Sequence, residues 1–327
     1  MEETARIKSF LKVIDEPIVN IKKLMKLSWH GIPFSIRYII WKYLLRYIPV
    51  ENKRVELVLK KKRNEYESLQ KMLSFEATEI ELKTKKQIKL DLVRSTTEVP
   101  FLFHEKAQEI MERVLFLWAL RHPASGYVQG INDLIVPLFV VLLQEYSPLR
   151  EKNVFDDVLE DDLKKVEADL YWCLSLLLEH VQDHYTSNQS KIFEQLASMK
   201  QLIIKIDQPL ASHFEENNVE CFQFAFRWFN CFLLREMSLE KGLRFWDTYL
   251  SDEDGNGFSQ FHLYVCVAII EKYSSKLMNM EFAEIMQFLQ NLPSEEWTKC
   301  DVDALLSEAF ILYKRFSSPD THLQLSH

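Results

Sequence analysis

The amino-acid sequence predicts an all-α protein, and two observations support this fold class. Glycine is scarce, with six residues in a chain of 327, whereas leucine, lysine, glutamate and glutamine, which favour helices, are plentiful. Several segments also repeat apolar residues at intervals of three and four, which is the spacing of an amphipathic helix. Hydrophobic residues make up 47 % of the chain and charged residues 27 %, so the composition is that of a soluble globular protein.

The first half of the chain is predicted to contain helices separated by turns. Residues 1–26 are expected to form a lead-in helix of mixed charge. A Gly-x-Pro turn then precedes a helix that ends at Pro49, and a long charged helix follows it. The segment "TKKQIKLDLVRSTTEVPF" has weak periodicity and is expected to be a loop that crosses a surface. By contrast, "EKAQEIMERVLFLWALR" has the pattern of a regular amphipathic helix, which ends at His122 and Pro123.

The stretch "HPASGYVQGINDL" holds two of the six glycines of the chain. Gly126 and Gly130 bracket Gln129, and glycine permits backbone turns that β-carbons obstruct. We interpret this stretch as a tight loop that presents the glutamine. An apolar helix is expected to follow it, and Pro137 within that helix predicts a kink or a helix start only one turn earlier.

In the second half of the chain, the polar stretch "DHYTSNQSK" is the predicted boundary between two lobes. The later segment "CFQFAFRWFNCFLLRE" is apolar almost all round, so its helix is expected at the centre of a lobe. Arg227 lies in its one narrow polar stripe and is expected to be structural, with a buried anionic partner. The predicted organisation is a lead-in helix (1–26), an N-terminal lobe (27–190), a helical C-terminal lobe (191–315) and a frayed tail (316–327).

Composition and charge disfavour several classes of function. The formal net charge of −8 argues against nucleic acid as a partner, because its binders carry a basic excess. The five cysteines form no Cys-x-x-Cys pair, as expected for buried, reduced thiols in a cytosolic protein. The N-terminus lacks the apolar core of a signal peptide, and the longest apolar run, "LIVPLFVVLL", is too short to cross a bilayer. Any membrane association is therefore expected to be peripheral or through a partner.

The sequence also offers little support for a metal site or for an enzyme with its own pocket. "DEDGNG", residues 252–257, matches the first half of a calcium-binding EF-hand loop. The twelfth position of such a loop is a bidentate glutamate, and here it is Leu263, so an ordinary surface turn is expected. The sequence has no zinc-ligand spacing, no phosphate-binding loop, no GxGxxG motif and no nucleophile elbow.

Two unexplained features together suggest one reaction. One is the glycine-bracketed Gln129, and the other is "IKLDLVR", in which Asp91 precedes Arg94 by three residues. Arginine is always charged and binds phosphate oxygens in bidentate fashion, and a nearby carboxylate can hold it extended. Glutamine can orient an attacking water while donating to a phosphoryl oxygen. Charge stabilisation and water positioning are what GTP hydrolysis needs beyond phosphate and Mg²⁺ binding.

The sequence resembles the TBC domain, the catalytic domain of Rab GTPase-activating proteins, over about residues 27–312. "RHPASGYVQGINDL" and "FHLYVCVAII" are especially similar to the subfamily associated with Golgi membranes. Three family motifs occur in order along the chain. They are Gly-x-Pro…Arg…Trp (Gly31, Pro33, Arg37, Trp41), IxxDxxR (Ile88, Asp91, Arg94) and YxQG (Tyr127, Gln129, Gly130).

The resemblance implies a dual-finger mechanism on an all-α fold with two helical lobes in a V. Arg94 and Gln129 would be the catalytic fingers of the N-terminal lobe. Asp91 would align Arg94, and Tyr127 would shape the loop and touch the Rab. Arg37 and Trp41 would be structural. The glycines that flank Gln129 would let the partner's phosphate loop come close.

The resemblance also implies what the protein needs from its partner. That partner would be a Rab-family GTPase in its GTP-bound form, and GTP and Mg²⁺ would belong to the partner. We therefore expect no cofactor of the chain's own, no bound metal and no autonomous enzymatic reaction. The expected location is the cytoplasm, with peripheral association at Golgi or other endomembranes, in the regulation of vesicle trafficking.

The sequence departs from the family pattern beside the arginine, where many members have proline before it and threonine after it. Here these residues are Val93 and Ser95, and the absence of proline predicts a less rigid approach to Arg94. An alternative function is a non-catalytic helical scaffold that holds a Rab or an adaptor, but both finger residues are intact. The lysine runs at 53–63 and 83–89 fit a solvated helix face or, alternatively, attraction to anionic lipid or an acidic partner.

Overall fold

The computed structural model describes residues 2–72, 78–95, 99–147, 155, 158–186 and 188–317. Within these residues the regular structure consists of α-helices, short 3₁₀ or π turns and an isolated β-bridge between Ile18 and Glu51. The predicted all-α fold class is therefore confirmed. The helix predicted from "EKAQEIMERVLFLWALR" spans Glu105–Arg121, and its predicted apolar stripe is buried.

The chain divides into two compact units. Unit 1 comprises the residues up to Asn188 together with Trp246–Glu253, and unit 2 comprises Gln189–Phe245 and the residues from Asp254 onward. Trp246–Glu253 lies inside the range predicted for the C-terminal lobe, but it belongs to unit 1. The physical reason is a side chain in this segment, Asp247, whose carboxylate bonds to the N-terminal part of the chain.

Unit 1 is built around one fully buried helix, α7, in which all residues from Ile131 to Leu143 are buried. It packs against α3, α5, α6 and α8, and it continues past Pro137. The helices of unit 1 are α1 (Glu2–Ile14), α2 (Ile21–Ser28), α3 (Arg37–Leu44), α4 (Asn52–Met72), α5 (Glu79–Ser95), α6 (Glu105–Arg121), α7 (Ile131–Leu143) and α8 (Glu160–Val181).

Two predictions for unit 1 were wrong. The lead-in consists of two helices, because Pro17 interrupts the chain and Asn20 caps α2 by accepting a hydrogen bond from the Lys23 amide. The predicted surface loop around Arg94 is helix α5. Its buried face is narrow, and apolar residues also occur on its exposed face, so the helical periodicity is weak in the sequence. These exposed apolar residues are Ile80, Leu82, Leu90 and Val93.

A buried charge cluster joins three helices of unit 1. Lys42 on α3 and Arg63 on α4 both pair with Asp169 on α8, at 2.8 Å in each case. Burial alone would raise the pKa of Asp169, but the hydrogen bond and charge of Arg63 and the charge of Lys42 lower it overall. The lysine-rich face expected at residues 60–63 is thus only partly solvated, since Lys62 lies over the Trp172 ring and Arg63 points inward.

Unit 2 is a second helical core, in which α13 packs against α16 and α9, and α9 packs against α11. Arg227 of α11 donates to Glu236 at 2.6 and 2.8 Å and to the Gln290 carbonyl at 2.9 Å. The Glu236 side chain is buried, as expected of the anionic partner, but the Arg227 side chain is 45 % exposed. The helices of this region are α9 (Ser190–Ile206), α10 (Gln208–Glu216), α11 (Cys221–Asn230), α12 (Leu239–Leu250), whose residues from Trp246 on belong to unit 1, α13 (His262–Lys272), α14 (Ser274–Leu277), α15 (Phe282–Gln290) and α16 (Lys299–Phe316).

The remaining predictions concern cysteines, metals, membranes and the tail. All five cysteines are free thiols, and Cys300 is the exposed one. Within the described ranges, no cluster of His, Cys, Asp and Glu side chains is arranged to hold a metal. No helix in the described part of the chain is both long and apolar enough to cross a membrane. The predicted tail lies outside the described residues from residue 318 on.

Candidate functional site

Arg94 lies in the last turn of α5, and its side chain is exposed. The Arg94 side chain is 64 % exposed, whereas that of Asp91, one turn earlier, is 1 % exposed. The nearest atoms of this pair, Arg94 Nη1 and Asp91 Oδ1, are 3.9 Å apart, so the contact is a loose ion pair. Val93 continues the helix, and proline at this position would remove a helical hydrogen bond.

Gln129 lies in the loop between α6 and α7, directly before Gly130. The residue is exposed, while Gly130 beside it is buried. The backbone φ angles are 63° at Gly126 and 116° at Gly130, a range that L-residues rarely adopt. A β-carbon on Gly126 would meet no atom within 4 Å, so backbone conformation rather than space within the chain requires glycine there.

A hydrogen bond between Tyr127 and Asp91 links the glutamine loop to α5. The Tyr127 hydroxyl lies 3.0 Å from Asp91 Oδ2 and 3.1 Å from Asn132 Oδ1, and its single proton serves one acceptor at a time. Gln87 Nε2 donates to both carboxylate oxygens of Asp91 at 3.0 Å. Burial and then the Asp91 charge raise the pKa of Tyr127, so the phenol stays protonated.

A second link joins Asn132, at the start of α7, to Ser95, at the end of α5. Asn132 Nδ2 donates to Ser95 Oγ at 2.5 Å, and Asn132 Oδ1 accepts the Gly130 amide proton at 2.8 Å. Ser95 Oγ in turn donates to the Asp91 carbonyl at 3.1 Å. The residues that flank Arg94 and Gln129 therefore form one hydrogen-bonded network.

Arg37 and Trp41 lie elsewhere in unit 1, and both bond to Asp247. The Arg37 guanidinium donates to the Asp247 carboxylate at 3.1 Å and to the Ile32 carbonyl at 2.9 Å. Trp41 Nε1 donates to the same carboxylate at 2.7 Å, and the Ile32 amide donates to it at 2.8 Å. This arrangement holds the opening motif and the Trp246–Glu253 segment together within unit 1.

The structure thus brings some predicted site residues together and separates others. One hydrogen-bonded network and its immediate neighbours contain both predicted fingers and the four residues predicted to support them, which are Asp91, Gly126, Tyr127 and Gly130. Arg227, by contrast, belongs to unit 2. Sequence reasoning missed Gln87, Ser95 and Asn132. Gln87 could have been found from its helical i, i+4 spacing to Asp91, and Asn132 as a polar residue opening an apolar helix. Nothing in the sequence indicates that Ser95 and Asn132 pair.

The fold and the site define an all-α protein in which unit 1 carries an exposed arginine and an exposed glutamine. A family model of the Rab-GTPase-TBC domain matches residues 34–278. The chain belongs to this family.

Individual relatives agree with the family match. The chain is 42 % identical to the GTPase-activating protein gyp1 of Schizosaccharomyces pombe, over 98 % of this chain and 63 % of that protein. It is 39 % identical to human TBC1 domain family member 22B, over 98 % of this chain and 64 % of that protein. It thus spans less than two thirds of the length of these relatives. The crystal structure of the Ypt/Rab-GAP domain of Gyp1p is similar, with a TM-score of 0.92 and 40 % identity over 96 % of this chain and 99 % of that one.

Proposed function

We propose that this protein activates GTP hydrolysis by a Rab-family GTPase, to which it supplies Arg94 and Gln129 in trans. One observation carries the proposal. The two side chains are both exposed, and the segments that bear them are hydrogen-bonded to each other in unit 1. Membership of the Rab-GTPase-TBC domain family supports a GTPase in its GTP-bound form as the partner.

Arg94 stabilises the charge that develops during phosphoryl transfer. Its guanidinium is planar and permanently charged, so it can donate to a phosphoryl oxygen and to the leaving oxygen of the bound GTP. The contact with Asp91 is loose at 3.9 Å, and the Arg94 side chain is 64 % exposed, so water screens the guanidinium. Arg94 can therefore leave Asp91 for phosphate at small cost.

Gln129 orients the water that attacks the phosphoryl group. Its carboxamide oxygen accepts a hydrogen bond from the water, and its nitrogen donates a hydrogen bond to a phosphoryl oxygen. The bonds made by Tyr127 and by the Gly130 amide hold the backbone on either side of it. The loop is therefore anchored before the partner binds, which lowers the entropic cost of positioning the water.

The nucleotide and the Mg²⁺ come from the partner. The activator contributes two side chains and a docking surface, and it catalyses no reaction alone. This division follows from the sequence, which contains no phosphate-binding loop.

A single-turnover assay of GTP hydrolysis tests the proposal. A panel of purified, GTP-loaded Rab proteins is mixed with the wild-type chain, with Arg94→Ala and with Gln129→Ala. We expect strong acceleration of at least one Rab by the wild-type chain, and loss of this acceleration in both variants. Acceleration that survives both substitutions would contradict the dual-finger mechanism. Binding without any acceleration would favour the scaffold function instead.

We also propose that the protein acts in the cytoplasm and reaches Golgi or other endomembranes through its GTPase. The similarity of two stretches to the Golgi-associated subfamily supports this location. Lys85 and Lys89 lie 3.5 and 3.4 Å from Glu112, so part of the lysine run is neutralised within the fold. Liposome co-sedimentation without a GTPase should show no salt-sensitive binding, and salt-sensitive binding to anionic vesicles would contradict a purely partner-mediated route.

A further inference from the structure

We propose that Ser95 and Asn132 are positioning residues, which brace the arginine-bearing end of α5 against the glutamine-bearing loop so that both fingers act as one unit. The proposal rests on the proposed function, because it concerns the placement of Arg94 and Gln129. The link between the two residues is the 2.5 Å hydrogen bond from Asn132 Nδ2 to Ser95 Oγ. We call this bond the brace.

The brace joins the end of α5 to the start of α7, beside another attachment of α5. This other attachment is the bond from Tyr127 to Asp91, at 3.0 Å. Asp91 and Ser95 are four residues apart on one face of the helix, which separates the two attachments by about 6 Å along its axis. Packing against α6 and α7 holds the body of α5, and the brace holds its last residue, directly after Arg94. The brace therefore fixes the direction in which Arg94 leaves the helix.

The hydrogen-bonding capacity of Asn132 suits this role. Asn132 is 2 % exposed, and its carboxamide provides a hydrogen-bond donor and an acceptor at once. The nitrogen donates to Ser95, and the oxygen accepts the amide proton of Gly130 at 2.8 Å, directly after Gln129. One side chain thus contacts the residue after each finger, and an aliphatic side chain of similar size could do neither.

The hydroxyl of Ser95 completes the brace. Its proton is donated to the Asp91 carbonyl one turn earlier, at 3.1 Å, which leaves the oxygen lone pairs directed to Asn132. Threonine would keep this hydroxyl, whereas alanine would remove it and leave the buried Asn132 nitrogen only the longer contact, 3.4 Å, to Asp133 Oδ2. Loss of a buried partner costs more than the bond itself contributes.

We expect loss of the brace to lower the rate of GTP hydrolysis and to leave the affinity for the GTPase unchanged. Two fingers must contact the same phosphoryl group, and a displacement of about 1 Å can cost roughly 10²-fold in rate. Asn132 is buried and is therefore not available to contact a docked GTPase. Its effect must pass through the placement of Arg94 and Gln129.

The test is single-turnover GTP hydrolysis with the activator in excess, measured as a function of activator concentration for the most responsive Rab. We expect Ser95→Ala to lower the limiting rate about 3- to 10-fold and Asn132→Ala about 10- to 100-fold, with an unchanged half-saturating concentration. Ser95→Thr should restore the limiting rate. The double variant should be no slower than Asn132→Ala, because both substitutions break the same bond.

Ser68→Ala on α4 is the matched control. Ser68 is exposed and also donates to the carbonyl four residues earlier, at 2.9 Å, but it lies outside the network. The limiting rate measured with Ser68→Ala should equal that of the wild type. Partial misfolding of any variant would raise the half-saturating concentration while leaving the limiting rate unchanged. That pattern in Ser95→Ala and Asn132→Ala would overturn the proposal.

Two further outcomes separate this proposal from the proposed function. Arg94→Ala could be inactive while Ser95→Ala and Asn132→Ala stay within twofold of the wild-type limiting rate. That result would overturn the proposal about the brace and leave the proposed function standing. If the wild-type chain accelerates no GTPase, the proposed function fails, and amide hydrogen exchange of residues 126–131 then tests the brace. We expect faster exchange at Gly130 in Asn132→Ala, and faster exchange around it in Ser95→Ala. Unchanged exchange in both variants would overturn the brace as well.

Discussion

Unit 1 contains two aspartate–arginine pairs that differ in structure. Asp91 and Asp247 are both fully buried, at 0 % exposure. Arg37 is buried against Asp247 and hydrogen-bonded to it at 3.1 Å, whereas Arg94 is exposed and 3.9 Å from Asp91. A buried carboxylate therefore accompanies both arginines, and only the distance and the exposure of the arginine distinguish them.

The partners of each carboxylate explain the difference. Asp247 accepts hydrogen bonds from Trp41, from the Ile32 amide and also from Arg37, so the arginine is one of its hydrogen-bond donors. Asp91 accepts hydrogen bonds from Gln87 and Tyr127, so it is satisfied by neutral donors. The hydrogen bonds of Asp91 from Gln87 and Tyr127 thus do not depend on Arg94.

Arg94→Ala should give the largest effect on the rate. An arginine finger supplied in trans is worth roughly 10³- to 10⁵-fold in turnover, so GTP hydrolysis should fall by that factor. The free energy of unfolding should hardly change, because the Arg94 side chain is exposed and its 3.9 Å contact with Asp91 is loose. Single-turnover kinetics and urea denaturation measure the two quantities. A large loss of stability would place Arg94 with the structural arginines and break the comparison.

Arg37→Ala should give the opposite pattern. Removing one partner of a buried ion pair costs about 3–5 kcal/mol, because the Asp247 charge stays buried without compensation. The limiting rate of the molecules that remain folded should be close to that of the wild type. Denaturant titration gives the loss of stability, and titration with excess activator gives the limiting rate. A reduced limiting rate with normal stability would assign Arg37 to catalysis.

Gln129→Ala should lower the rate about 10²- to 10³-fold, the usual cost of losing one positioned polar group at a reacting centre. The substitution leaves Gly126 and Gly130 in place, so the loop conformation and the stability should persist. Comparison with Arg94→Ala in the same single-turnover assay checks the ranking. Wild-type activity in this variant would mean that the GTPase positions its own water.

Tyr127→Phe, which removes a hydrogen-bond donor to Asp91, should reduce the free energy of unfolding by an amount that depends on pH. Burial and the Asp91 charge raise the pKa of Tyr127, so folding disfavours its ionised form. Its contribution to stability is thus fully present below the unfolded pKa of about 10 and is lost as the pH rises above that value. We expect Tyr127→Phe to cost about 1–3 kcal/mol at pH 7, and less above pH ~10.

Urea denaturation of the wild type and of Tyr127→Phe at neutral and alkaline pH measures this difference. Trp41→Phe is the matched control at Asp247, because an indole donor does not titrate and its cost should be constant with pH. A constant cost for Tyr127→Phe would argue against a protonated phenol beside Asp91.

Lys83→Ala should have the smallest effect. Lys83 shares α5 with Arg94 and pairs with Glu79 at 2.7 Å, but the two side chains are 74 % and 82 % exposed. Exposed pairs are screened by water and salt, so the rate should change by less than about twofold. A large effect on the rate would show that an exposed cation on α5 contributes to hydrolysis even when it lies away from the network.

Several features were accessible from the sequence because they depend on local pattern. The apolar spacing of "EKAQEIMERVLFLWALR" predicted α6, and the two glycines around Gln129 predicted a turn with unusual backbone angles. The ordered motifs indicated the family. Helix α5 was missed because its exposed face is partly apolar, so periodicity could not distinguish the helix from a loop.

The sequence by itself determined the all-α class, the family and the two candidate finger residues, since these follow from residue type, short spacing and motif order. Only the tertiary structure decided that Asp247 satisfies Arg37, that Asn132 bonds to Ser95, and that Arg94 stays exposed beside a buried carboxylate. The first two of these pairings join residues that are 210 and 37 positions apart. They depend on how the helices pack, and no local pattern of residues encodes that packing.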